Sequence, residues 1–306
     1  MNATNIEQYD LSYSDKPPVL IGASSDAAMA RAIRSVEAAG CRIGEAMPIS
    51  EARERIDRQI AATAVWLELD RDCGAEMDQL LHCIAKNAAE RRFAAVVSST
   101  CELIDPISAL IDDEAIELIV DADDAERAAA LAFATAQADC ADRLCDVASD
   151  QSAARLRQLS DEVSRIAATL SRLSSGPGAT APAVESVAGS DVPDISADTV
   201  RSVIRARRLR ARYFSEELFA DPAWDMLLDL LQAEIAHLRV PVSSLCIAAA
   251  VPATTALRWL RTMVSKGLFV RRADPHDGRR VFVELAPEAS SAMRRYFADV
   301  GGAEVI

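Results

Sequence analysis

The chain has 306 residues, half of them hydrophobic, and a formal net charge of −14 at pH 7. This length can bury more than one hydrophobic core, so two domains are expected. The acidity excludes general attraction of the whole chain to nucleic acid, because phosphate binding depends on Lys and Arg. The charge is uneven, however. From Ser196 onward there are 16 Lys and Arg and 13 Asp and Glu, whereas the part before Ser196 has 17 Lys and Arg and 34 Asp and Glu. Any binding to phosphates must therefore come from local basic patches.

The cysteines and the N-terminus indicate the compartment. The seven cysteines form no Cys-x-x-Cys pair and no His/Cys cluster with zinc spacing. Disulfide frameworks belong to short secreted chains, so reduced and mostly packed thiols are expected. The N-terminus lacks a positive segment followed by an apolar one, and no run of 18 or more apolar residues occurs. We therefore expect a cytoplasmic protein with no membrane association, metal or cofactor.

Residues 1–136 alternate short apolar segments with amphipathic ones after a polar N-terminal arm. Strands are predicted over Pro18–Ala23, Cys41–Ile49, Thr63–Leu69, Arg92–Ser98 and Ile116–Asp121, and helices over Ser24–Ala39, Ser50–Ala61, Gly74–Glu90, Glu102–Asp112 and Asp123–Gln137. This alternation favours a doubly wound parallel five-stranded sheet with helices on both faces.

The size and rhythm of this region resemble a response-regulator receiver domain. The resemblance implies a phosphate-accepting Asp at the end of the third strand, where Asp70 stands, and a Ser or Thr after the fourth, where Ser98, Ser99 and Thr100 stand. It also implies an acidic pair after the first strand and a Lys after the fifth, and both are missing. Without the acidic pair, little can hold the Mg²⁺ that phosphoryl transfer needs. We expect a pseudo-receiver that binds a protein partner or small ligand, or mediates contacts, with Asp70 a solvated carboxylate.

No catalytic site emerges from the sequence. The turn Gly22-Ala-Ser-Ser follows a strand and opens a helix, where anions bind. It lacks the glycine pattern of dinucleotide sites and the Gly-Lys-Ser/Thr of a P-loop, so a capped turn is the favoured interpretation. The histidines His82, His237 and His276 have no paired nucleophile in a recognisable motif. We expect no catalytic residues and no enzymatic activity.

A helical connector is predicted over residues 137–174. Its apolar positions are spaced alternately by three and four residues, which is the heptad stripe of a coiled coil. The stripe comprises Leu156, Leu159, Val163, Ile166, Leu170 and Leu173. It predicts a homodimer, and the alternative is a long surface helix that packs on its own domain.

The next segment, residues 175–195, is rich in Gly, Pro, Ser and Ala and has no aromatic residue. This composition predicts a flexible linker with a reach of roughly 25 Å. Such a linker would let two C-terminal domains adjust to the spacing of two sites.

The C-terminal region, residues 196–306, begins with helices predicted over Ala197–Tyr213 and from Asp221 to about Leu238. Six arginines fall between Arg201 and Arg212. They either converge on phosphates or pair within the chain, with the acidic N-terminal domain or with Glu216 and Glu217. A further helix is predicted over Val242–Ala250.

A helix followed by a hairpin is predicted over Val251–Leu285. Leu257, Leu260 and Val264 recur at helical spacing and face a core, which leaves polar residues outside. Gly267 closes the helix as a C-terminal cap. The strands Leu268–Arg272 and Val281–Leu285 flank the turn residues Asp-Pro-His-Asp-Gly.

A helix ending Lys-Gly-Leu, then Val-Arg-Arg and Asp-Pro-His-Asp-Gly-Arg-Arg, resembles the recognition helix and wing of MarR-type winged helix-turn-helix transcription regulators. In that family the helix enters the DNA major groove and a wing arginine reaches the backbone or minor groove. The resemblance covers about the last third of the chain. It implies contacts with double-stranded DNA by Ser243, Thr254, Thr255, Arg258, Arg261, Arg272, Arg279 and Arg280.

Together these features predict a multidomain protein: a receiver-like α/β domain, a dimerising coiled-coil helix and a winged helix-turn-helix. We expect a homodimeric, sequence-specific transcription regulator, cytoplasmic and nucleoid-associated. The alternative is a protein-interaction scaffold or a nucleoid-associated architectural protein that uses the winged helix.

Overall fold

The structure is a computed structural model that describes residues 18–58, 64–111, 115–147, 193 and 195–300. The polar N-terminal arm, the heptad stripe from Leu156 to Leu173 and almost all of the linker predicted over residues 175–195 lie outside the described residues.

Residues 18–147 form a parallel sheet between two layers of helices. The strands are β1 (Val19–Ala23), β2 (Ile43–Pro48), β3 (Ala64–Leu69), β4 (Ala94–Ser99) and β5 (Ile116–Val120), and the helices are α1 (Asp26–Ala38), α2 (Ile49–Asp57), α3 (Ala75–Ala89), α4 (Ile104–Leu110) and α5 (Asp124–Val147). In the described ranges the strand order is β2-β1-β3-β4-β5, and every pair is parallel. This is the order of flavodoxin-like doubly wound sheets. The predicted five-stranded parallel α/β fold is confirmed.

The central strand β3 shows why the apolar runs predict buried parallel strands. All six of its residues are buried, because helices cover both faces of the sheet. Val65 and Leu67 pack into the cluster beneath α2 and α3, whereas Trp66 packs on the other face with α1 and α5. Alternate residues of one strand therefore fill two cores.

Helix ends in this half follow local chemistry. The Ser25 hydroxyl accepts the amide of Ala28 at 3.0 Å and caps α1, and Gly40 ends that helix region with a positive φ of 68°. The last helix, α5, continues to Val147, beyond Gln137 and across the boundary predicted at residue 136.

Residues 195–300 form the C-terminal half. Its elements are α6 (Ala197–Leu209), α7 (Pro222–Ile235), β6 (Val240–Pro241), α8 (Val242–Ala248), α9 (Ala253–Ser265), β7 (Phe269–Ala273), β8 (Val281–Leu285) and α10 (Pro287–Val300). The strands form a small antiparallel sheet in the order β6-β8-β7. The buried residues of α7, including Met226, Leu228 and Leu231, lie at the centre of this half.

The two halves pack against each other. Helix α4 contacts α8 and β8, and β5 contacts α9. The buried side chains beneath β3 and those around α7 belong to one contiguous apolar cluster. Among the described helices, none alone is long and apolar enough to cross a membrane, and only the bent pair α8 and α9 passes by length and composition together.

The tight packing around Gly22 in β1 generates a stability prediction. A Cβ atom there would lie 2.7 Å from Leu67 Cδ2 and 3.2 Å from Ala52 Cβ. We expect Gly22→Ala to lower the free energy of unfolding by about 1–3 kcal/mol, as overpacking does, measured by urea denaturation. Gly278→Ala is the matched control, because nothing lies within 4 Å of its added Cβ. Equal losses in the two variants would contradict the prediction.

Candidate nucleic-acid interface

Helices α8 and α9 are joined by a short turn, and their axes turn through 108°. Ala250 in this turn has a positive φ of 54°, and Pro252 stands directly before α9. The angle and the turn length match helix-turn-helix units, whose helices cross at about 90–120° over a few residues.

Helix α9 has one buried and one polar face. Ala256, Leu257, Leu260 and Met263 are buried, and Val264 is partly buried against the same core. The spacing of these residues places Thr254, Thr255, Arg258 and Arg261 on the remaining surface.

The hairpin of β7 and β8 pairs Phe269 with Leu285 at one end and Ala273 with Val281 at the other. Aspartates fix its tip. The Asp274 carboxylate accepts the amide of His276 at 2.9 Å, and the Asp277 carboxylate accepts the amide of Arg279 at 3.0 Å. Such side-chain turns hold the backbone, so Arg279 and Arg280 project from fixed positions.

The start of each helix in this unit contacts the N-terminal half. The amide and the hydroxyl of Ser243, at the start of α8, donate to the two carboxylate oxygens of Asp105, at 2.9 and 2.5 Å. The hydroxyl oxygen of Thr254, at the start of α9, accepts the amide of Val120 at 2.9 Å. Both contacts join residues more than 130 positions apart in sequence.

Arginines make the next set of contacts across the same boundary. Arg258 forms an ion pair with Glu117 of β5, and Arg261 donates to the Ile116 carbonyl at 3.0 Å. Arg271, which the sequence did not single out, donates to the Ser108 carbonyl.

The wing meets the loop after β3. Arg279 lies 2.7 Å from a carboxylate oxygen of Asp72 and 3.2 Å from one of Asp78. The hydrogen bond from Arg279 lowers the pKa of Asp72, and the same bond raises the pKa of Arg279 despite partial burial. The pair is thus ionised throughout the neutral range.

Of the eight residues predicted to bind DNA, five therefore contact the N-terminal half: Ser243, Thr254, Arg258, Arg261 and Arg279. Thr255, Arg272 and Arg280 remain exposed. Arg272 pairs with Glu284 at 3.4 Å and Arg280 with Asp277 at 3.3 Å, both within the hairpin.

Three arginines of the basic run between Arg201 and Arg212 have local partners. Arg207 binds Asp225 of α7 at 2.7 Å, Arg201 binds Asp198 at 3.0 Å, and Arg210 stacks 5.5 Å from the ring centroid of Phe219. These partners lie in the C-terminal half, and the side chains of Glu216 and Glu217 are not described. The intramolecular alternative thus gains support for Arg201 and Arg207.

Asp70 lies at the carboxyl edge of the parallel sheet, at the position a receiver would phosphorylate. Its carboxylate accepts the hydroxyls of Ser24 at 2.7 Å and Ser25 at 2.6 Å, and binds Arg31 at 2.9 Å. Burial alone would raise its pKa, but the bonds from the serines and Arg31 outweigh burial and lower it. With only 21% of the side chain accessible, Asp70 is a bonded carboxylate rather than the solvated one expected.

Two arginines pair with the carboxylates at this edge. Arg31 also binds the buried Glu68 at 3.1 Å, and Arg127 lies 3.4 Å from the same carboxylate. Glu68 additionally accepts the indole N–H of Trp66 at 3.1 Å. Protein cations therefore neutralise both carboxylates at this edge.

The loops at this edge and the wing enclose an open cleft of about 720 Å³. Its walls include Asp70, Arg71 and Glu102 from the N-terminal half and Arg279 and Arg280 from the wing. Mixed charge lines the cleft, and within the described ranges no group of three or more His, Cys, Asp and Glu side chains is placed to hold a metal ion.

The cysteines whose side chains are described are free thiols: Cys41, Cys73, Cys83, Cys101 and Cys246. Burial raises the pKa of Cys83 and of Cys246 to about 12, so both stay protonated at neutral pH. Of the five, Cys83 and Cys246 are buried, Cys41 and Cys73 are partly buried, and Cys101 is exposed.

Sequence reasoning missed the acidic partners Asp72, Asp78, Asp105 and Glu117. The signal available was their excess in the N-terminal part, where 34 acidic residues face 17 basic ones. Composition does not show which acidic residue pairs with which donor, however, because each pair joins residues far apart in the chain.

Comparison with known proteins gives little further guidance. The sequence matches no protein-family model, and no curated protein matches it. Among solved structures, a transcriptional regulator from Thermotoga maritima aligns over 35% of this chain and 81% of its own, with 17% identity and a TM-score of 0.21. A likeness this low carries no argument about function.

The bonded state of Asp70 predicts that it does not accept a phosphoryl group. Incubation of the full chain with acetyl phosphate and Mg²⁺ should give no covalent adduct by intact mass, because Arg31 occupies the carboxylate and no acidic pair holds the metal. Stoichiometric labelling of the natural chain that disappears in Asp70→Asn would contradict this expectation.

Proposed function

We propose that this protein is a transcription regulator that binds double-stranded DNA through α9 and the β7–β8 wing. One observation carries the proposal: residues from α8, α9 and the wing, chosen from sequence alone, lie on one face. Ser243, Arg258 and Arg279 come from three elements, yet all contact the same neighbouring half. A DNA-binding surface requires such convergence.

The chemistry of this face suits phosphate oxygens. Amide, hydroxyl and guanidinium groups donate hydrogen bonds to anionic oxygens. Here the Ser243 amide and hydroxyl bind a carboxylate, and Arg258 and Arg279 bind carboxylates as well. Phosphates offer oxygens of the same charge to the same donors.

In the proposed complex, different residues position the protein and read the sequence. Ser243 and the wing arginines Arg279 and Arg280 hold phosphates, which set the register. Thr254, Thr255 and Arg258, at the start and middle of α9, reach base edges in the major groove, where an arginine recognises guanine. Arg261 and Arg272 flank these positions and bind the backbone.

The MarR-type resemblance, the pseudo-receiver role and the homodimer belong to this proposal. The strand order of the N-terminal half and the Arg31–Asp70 contact support a receiver-like domain that does not use phosphorylation. The cleft beside Asp70 offers a place for the small ligand or protein partner expected at this domain. The heptad stripe supports pairing of two chains, and location at the nucleoid follows from DNA binding.

A second candidate function is a protein-interaction module. The specific observation in its favour is that the proposed DNA-binding face contacts a protein surface, namely α4 and β5 of the same chain. An interaction scaffold would use that face for protein partners and would show no sequence preference for DNA. Selection of bound sites from genomic fragments separates the two functions, since a regulator enriches a motif.

Arg280→Ala tests DNA binding without disturbing the boundary between the halves, because Arg280 is exposed and its ion pair is local. We expect weaker binding to selected DNA, with the slope of log affinity against log salt reduced by about one, measured by fluorescence anisotropy. Arg295→Ala, an equally exposed arginine on α10, removes the same charge and should leave affinity and slope nearly unchanged. Equal effects of the two variants would favour the scaffold.

The dimer prediction has its own test. A proline inside a helix costs about 3 kcal/mol or more, so Val163→Pro should break the stripe, give monomers by sedimentation velocity and weaken DNA binding by lost avidity. Val187→Pro, in the predicted linker, is the control and should change neither property. A natural chain that is already monomeric at micromolar concentration would refute the dimer.

A further inference from the structure

We propose that the N-terminal half holds the DNA-binding face closed, so that the described conformation is the non-binding state of the regulator. This inference rests on the proposed function and adds its regulation. The cover is formed by α4, β5 and the loop after β3, which present Asp105, Glu117 and Asp72 to the face.

The cover and DNA compete for the same atoms. The Ser243 amide, its hydroxyl and the Thr254 hydroxyl are all engaged across the boundary. A phosphate bound by the Ser243 amide and hydroxyl would have to displace the carboxylate of Asp105. A major groove around α9 would have to displace β5, which packs on that helix. The two states therefore exclude each other.

Charge explains why these carboxylates suit the site. The part of the chain before Ser196 has twice as many acidic as basic residues. Four of its carboxylates contact the polar groups of Ser243, Arg258 and Arg279. These carboxylates are Asp72, Asp78, Asp105 and Glu117. They take the positions that phosphates take in the open state.

The closed conformation can open, because the hydrogen bonds and ion pairs between the two halves are polar and lie near solvent. One partner of each ion pair is well exposed: the Arg258 side chain is 59% accessible beside Glu117 at 16%, and that of Asp72 is 46% accessible beside Arg279 at 32%. Ion pairs open to solvent on one side weaken with salt. Apolar packing between the halves adds a contribution that salt does not screen. The closed state thus persists at moderate salt yet can yield to a ligand with several phosphates.

Glu117→Lys in the full chain tests the closure, because it repels Arg258 without altering any residue of the proposed DNA-binding face. Glu37→Lys is the matched control: it makes the same charge change on the exposed surface of α1, which packs on the opposite face of the sheet. Affinity for DNA selected from genomic fragments should rise about tenfold in Glu117→Lys over Glu37→Lys, because apparent affinity scales with the open fraction.

Opening is measured separately by hydrogen exchange. The amides of Ser243 and Val120 donate across the boundary, so both should exchange faster in Glu117→Lys than in Glu37→Lys. Asp105→Ala is a second variant that removes a different contact and should have the same effects. Unchanged exchange in both variants would overturn the claim that these carboxylates hold the closure.

Hydrogen exchange and DNA affinity together distinguish failure of the proposed closure from failure of the proposed DNA-binding function. Faster exchange with DNA affinity equal to that of Glu37→Lys would overturn the closure and leave DNA binding standing. Faster exchange with no DNA bound by any variant would overturn the proposed function and, with it, this regulation. Faster exchange together with tighter DNA binding supports both.

Discussion

The contacts between carboxylates of the N-terminal half and donors on α8, α9 and the wing organise this molecule. Asp105 binds the start of α8, Glu117 binds Arg258, and Asp72 binds Arg279. They explain how an acidic chain can carry a basic face: the face is neutralised inside the molecule. They also bring together the proposed reading helix, the wing and the sheet edge at Asp70, which would otherwise be separate features on separate domains.

The sheet edge shows the same pairing of charged groups within the chain. In the α/β half, Arg31 binds both Glu68 and Asp70, and Arg127 lies beside Glu68. A cation fixed in the fold does not come and go with a signal. The cleft beside Asp70 opens between this edge and the wing, and it is the place proposed above for a small ligand or protein partner.

Local patterns predicted the elements well, because each depends on neighbours in sequence. Apolar runs gave the five parallel strands, helical spacing gave the buried Leu257 and Leu260, and turn residues gave the hairpin. The same spacing picked the polar face of α9. The cover on that face was not predictable, since the pairs of Asp105 and Glu117 depend on how two packed halves meet. The flexible linker predicted from the sequence implied a C-terminal domain that moves independently of the N-terminal half. In the structure the C-terminal half packs against the N-terminal half.

The most direct test is the hydrogen exchange of the Val120 amide in the natural chain with and without saturating selected DNA. This amide donates to Thr254 across the boundary, whereas the amide of Trp66, in the centre of β3, serves as an internal reference. Because coupling between two sites is reciprocal, DNA that binds the open face must withdraw Thr254 and accelerate exchange at Val120 but not at Trp66. Bound DNA with Val120 still fully protected would contradict the account.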